Sequence, residues 1–96
     1  MNTVYKFSNE HIGLEIRRSG EGLNGYWIVQ TASEELNIAD KRLPTQLHPS
    51  VESAVSEISY GRVYRAWDGA KLNQLGVPAT LSGWHPFEND LGALDA

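Results

Sequence analysis

Apolar and polar positions change period twice along this chain. His11-Ile12-Gly13-Leu14-Glu15-Ile16-Arg17 alternates residue by residue, with Ile12, Leu14 and Ile16 on one face and His11, Gly13, Glu15 and Arg17 on the other. That is the pattern of a strand with a core under one side. Tyr26-Trp27-Ile28-Val29-Gln30-Thr31 is a β-branched and aromatic run, which predicts a second strand. At Val51 the period lengthens: Val51, Ala54, Val55 and Ile58 recur at i, i+3, i+4 and i+7, one apolar stripe of a helix. Ser50 suits its N-cap and Gly61 its C-terminal cap, so a helix is predicted over about 50–59.

The two strands are expected to form a hairpin over 11–31. Asn24-Gly25 is a preferred two-residue turn, but that register would set Ile16 opposite Ser33 and Leu14 opposite Glu35. Leaving Arg18 to Gly25 as a loop sets Ile16 opposite Trp27, Leu14 opposite Val29 and Ile12 opposite Thr31. Directly paired residues share a face, so this second register gathers the apolar groups and is the one expected.

Elsewhere the signals are local. Thr3 to Phe7 reads as a short strand, closed by the turn chemistry of Ser8-Asn9-Glu10. Ser33-Glu34-Glu35-Leu36 is compatible with one helical turn and Lys41 to Leu47 with a sheet edge. Tyr60 to Trp67 can be read as a helix that stacks Tyr60, Val63, Tyr64 and Trp67 or as a strand, and the strand is preferred because Gly61 ends the previous helix and Asp68-Gly69 is a turn signal. Ala70 to Leu75 reads as a short helix closed by Gly76. From Gly76 onward Pro78, Gly83, Pro86 and Gly92 predict irregular chain, with Trp84 and Phe87 pinning it to the body. The expected fold is α+β: an antiparallel sheet of three to four strands, with the hairpin at its centre and one main helix against it. One domain over 1–88 and a flexible acidic tail over 89–96 complete the reading.

Composition narrows the function classes. Ninety-six residues allow one core and no second catalytic domain. The chain has no cysteine, which removes thiolate chemistry and fits a reducing, cytoplasmic setting. There is no leader-like start, and no apolar stretch approaches the roughly 18 residues of a membrane span. Eight Lys and Arg against twelve Asp and Glu give a net charge of −4, which disfavours nucleic acid at long range.

Candidate chemistry is sparse. Gly20, Gly22 and Gly25 have the spacing Gly-x-Gly-x-x-Gly, but a strand follows where a phosphate site needs a helix N-terminus. A kinase-like loop between antiparallel strands would need partners that the sequence lacks, so the loop is read as an exposed hairpin connection. Its Glu21, Leu23 and Asn24 are candidates for touching a partner. His11, His48 and His85 lack ligand spacing, and no local nucleophile motif is present, so no metal, cofactor or catalytic residue is assigned.

What remains is recognition. Small acidic α+β domains of this kind are often stoichiometric binders, including immunity proteins, antitoxins and phage-encoded anti-CRISPR inhibitors, an analogy of size and charge alone. On that basis the chain is expected to be a non-enzymatic inhibitor, monomer or homodimer. Acidic groups, Glu88 and Asp90 or Glu34 and Glu35, would cover a basic nucleic-acid-binding surface of a protein partner. The alternative uses Arg62, Tyr64, Arg65 and Trp67, interleaved guanidinium and aromatic groups that can stack on bases of RNA or single-stranded DNA.

Overall fold

A computed structural model describes residues 2–20, 24–60, 65–78 and 80–87. Strand β1 (Asn2–Ser8), β2 (Gly13–Arg18) and β3 (Tyr26–Thr31) form the body of one antiparallel sheet. Two-residue strands flank them, β4 (Lys41–Arg42) beside β3 and β5 (His85–Pro86) beside β1, so the order is β4-β3-β2-β1-β5. The expected α+β architecture is present, with the hairpin at the sheet centre and one strand more than predicted. That strand is β5, in the segment read as irregular; Phe87 N–H donates to the Val4 carbonyl at 2.9 Å and fixes it there.

Helix α1 (Val51–Tyr60) follows the predicted stripe. Ser50 caps it, its hydroxyl accepting the Ser53 N–H at 3.0 Å, and Ala54, Val55 and Ile58 are buried. They meet Leu14, Ile16, Ile28 and Leu43 from the sheet, with Ile12, Ala66, Leu72 and Trp84 closing the core. Phe7 sits beside Trp84 with ring centroids 5.8 Å apart. Trp84 and Phe87 hold the late segment to the body as expected.

The hairpin register corrects the sequence reading by one residue. Ile16 pairs with Ile28 and Leu14 with Gln30, while Arg17 faces Trp27 and Glu15 faces Val29. Trp27 and Val29 therefore belong to the outer face, away from α1. The connection runs from Ser19 to Gly25, one residue shorter than expected. Gly25 is set by close approach: a Cβ there would lie 2.8 Å from the His48 carbonyl oxygen and 2.6 Å from Leu47 Cγ. His48 and Tyr26 exchange backbone hydrogen bonds of 2.8 and 3.0 Å, which extends the edge beyond β4.

The outer face has charged cover. Glu15 Oε1 accepts from the Thr3 hydroxyl at 2.7 Å and from Arg17 Nε at 2.8 Å, and Lys6 Nζ lies 3.8 Å from its other oxygen. Arg17 Nη2 reaches Asp40 Oδ2 at 2.6 Å. The Arg42 guanidinium lies 4.2 Å from the Trp27 ring centroid. Residues 33–36 are not a helical turn: the Ser33 N–H donates to the Leu36 carbonyl and the Glu35 N–H to that of Glu10, folding the loop onto the β1–β2 turn. Of the strand expected over 60–67, Tyr60 ends α1, Arg65 makes an isolated bridge to Lys71, and 61–64 lie outside the described residues.

Candidate functional site

Residues 65–75 build a tight loop that is anchored in the core at Ala66 and Leu72 and exposes its tip, Trp67 to Gly69. Asp68-Gly69 turns the chain, with Gly69 at φ +97°, the Gly69 N–H on the Ala66 carbonyl at 2.9 Å and the Ala66 N–H on that of Ala70 at 2.7 Å. Asp68 Oδ1 accepts the Ala70 N–H at 3.2 Å, and the Arg65 guanidinium closes the loop on the Gly69 carbonyl at 2.8 Å. Ala66 and Leu72 sink into the core on either side, the latter opening the predicted short helix as a 3-10 turn, Leu72–Gln74.

Between those anchors stands Trp67, 56% exposed and the one large hydrophobic that the described residues leave open to solvent. Its backbone is not free. The buried Gln30 of β3 accepts the Trp67 N–H at 2.6 Å, tying the loop to the sheet. Lys41 of β4 places its ammonium 5.3 Å from the indole centroid, a cation over an aromatic face. The edge strand β4 thus carries two such pairs, Lys41 with Trp67 and Arg42 with Trp27.

A second cluster forms where two turns meet. The His11 imidazole bonds Glu35 through Nδ1 at 2.8 Å, and its Nε2 lies 3.6 Å from Glu10. The Glu35 hydrogen bond, then the charges of Glu35 and Glu10, raise the His11 pKa above the ordinary imidazole value. The three groups offer ligand atoms within 4.8 Å of one another, all exposed, so the arrangement can hold a proton and has the donor types of a divalent-cation site. A shallow cleft of about 320 Å³ lies near the ends of β1 and β3, lined by Lys6, Phe7, Ser8, Leu14, Thr31, Ala32 and His85. His48 is fully buried, and desolvation pushes its pKa down against the opposing charge of Glu57.

Of the side chains singled out by sequence, Glu34, Glu35, Asn24 and Arg65 are exposed. Only Arg65 belongs to the Trp67 loop; Glu35 is engaged by His11. Glu21, Leu23, Arg62, Tyr64, Glu88 and Asp90, and the tail over 89–96, lie outside the described residues. Sequence reasoning missed Gln30 and Lys41, which the sheet brings to Trp67 from 37 residues away in the first case. It missed the Glu10, His11 and Glu35 cluster as well, because Glu35 is 24 residues from His11 and no helical spacing links them. No helix among the described residues is long and apolar enough to cross a membrane. No protein-family model, no curated protein and no solved structure matches this chain, so its role has to be read from its own geometry.

Proposed function

We propose that this chain is a non-enzymatic protein-binding module that acts by occupying a partner's surface, with Trp67 as the anchor of the contact. One observation carries this reading: a large indole is held out in solvent by a backbone that cannot easily withdraw it, because Gln30 fixes its N–H and the core holds Ala66 and Leu72. Exposing an indole costs hydrophobic free energy, Trp is among the residue types enriched at the hot spots of protein interfaces, and holding it pre-organised lowers the cost of binding. A stoichiometric inhibitor needs no more than this: a rigid anchor, a surrounding rim and no reacting group.

The test compares two preparations from the native host. The tagged wild-type chain should retain one partner at a one-to-one ratio. Trp67→Ala should lose it while its circular dichroism and melting curve stay unchanged, since the truncated side chain is exposed. Retention of the same partner by Trp67→Ala would overturn the anchor. The alternative, single-stranded nucleic acid stacked on Trp67, draws on the Lys41 cation beside the ring.

A further inference from the structure

The charge around Trp67 runs opposite to that of the chain. Across the sequence eight cations face twelve carboxylates, but Lys41 and the segment 65–71 hold three cations, Lys41, Arg65 and Lys71, and one carboxylate, Asp68, while Arg42 lies on the other face of the sheet over Trp27. Everything else holds five cations and eleven carboxylates. The fold brings Lys41 and this segment together at the indole. Lys41 lies over the Trp67 ring, and the backbones of Arg65 and Lys71 pair in an isolated β-bridge at the base of the same loop.

The neighbouring acids each have a hydrogen-bond partner. Asp68 turns Oδ1 back to a neutral amide, the Ala70 N–H, and Asp40, next to Lys41 in sequence, is bound at 2.6 Å by Arg17, an arginine that it shares with Glu15. Lys41 makes no ion pair with a described carboxylate at 4 Å or less, and neither does Arg65, whose guanidinium sits on a carbonyl. A basic partner surface, the one that the net charge of −4 would attract from a distance, would meet like charge here at contact.

We infer that the Trp67 surface takes an acidic protein segment: an apolar side chain on the indole, with Asp or Glu carboxylates on Lys41 and Arg65. This rests on the proposed binding role and adds the chemistry of the partner. The overall negative charge then acts as a filter. It slows approach of acidic chains in general, so only a partner whose carboxylates fit this small cationic island is held.

Three probes test it: a peptide of alternating Glu and Leu, the same peptide with Lys for Glu, and oligothymidylate. The readout is the indole N–H resonance of Trp67, assigned as the one lost in Trp67→Phe. The Glu peptide should shift it saturably and bind roughly tenfold tighter than the Lys peptide, weakening as salt rises. Lys41→Gln with Arg65→Gln should remove that preference, and the Glu double variant should reverse it; the milder pair keeps the test open if the harsher one unfolds. Equal binding of both peptides, a preference for Lys, or silence with all three probes overturns the inference. Tighter binding of oligothymidylate than of the Glu peptide overturns it in favour of nucleic acid. Loss of the native partner by Trp67→Ala with no charge preference among the peptides would leave the binding module standing and remove the acidic partner.

Discussion

The two faces of the central hairpin are covered by opposite means. Inside, Leu14, Ile16, Ile28 and Leu43 meet α1 with no charge between them. Outside, Val29 is 2% exposed and yet lies among Glu15, Arg17, Trp27 and Arg42, its neighbours by register. Side-chain accessibility of 12% for Glu15 and 19% for Arg17 marks a salt-bridge layer that is itself largely covered. One face is stabilised by water removal from apolar area. The other depends on long polar side chains lying flat, their stems shielding hydrocarbon and their charged ends bonded to one another.

The sharpest way to break this contrast is truncation on each side of one strand. Ile28→Ala should cost about 2–5 kcal/mol in urea denaturation, the ordinary range for a fully buried Ile. Trp27→Ala, one residue along and facing outward, should cost clearly less, since its stacking with an exposed guanidinium contributes about 0.5–1 kcal/mol. Equal losses would mean that the outer face is a second hydrophobic core. Next in size, Glu15→Ala should destabilise by about 1–3 kcal/mol, because it strips the Thr3 hydroxyl and Arg17 of their shared acceptor. A loss below about 0.5 kcal/mol, the scale of a solvated surface pair, would demote the network to decoration.

The smallest effects are titrations of opposite sign. His48 has its pKa lowered by burial, so the unfolded chain binds the proton first: its contribution is present above the unfolded value of 6.5 and is lost as pH falls below it. His11, with its pKa raised by Glu35, contributes stability below 6.5 and loses it as pH rises through the folded value. Melting temperature against pH should therefore flatten on its acid side in His48→Gln and on its alkaline side in Glu35→Gln. Flattening on the same side in both variants would contradict the assigned environments.

Much of the fold was legible because its signals are local. The α1 stripe, the Ser50 cap, the strict alternation of β2 and the Asp68-Gly69 turn each occupy a few consecutive residues. The hairpin register was not. Tyr26, Trp27, Ile28 and Val29 are all apolar, so β3 carries no period-two signal, and counting apolar pairs favoured the bulkier Trp27 over Ile28. What decides the face is remote: Leu43 donating its N–H to the Ile28 carbonyl, and Leu47 and His48 crossing close over Gly25. The site divides the same way. Arg65 and Trp67 were visible as neighbours in sequence, whereas Lys41 and Gln30 reach the indole only through strand pairing.

The lateral borders of the sheet are two residues long on either side, and both resist extension. At β5 the Phe87 amide points to β1, so by alternation the nitrogen of Pro86 faces outward, and it carries no hydrogen to offer an incoming chain. At β4 the exposed rim carries Lys41 and Arg42, which an added copy of the same rim would have to bring face to face with their own kind. Addition of further copies through main-chain pairing is thereby disfavoured at both of these edges.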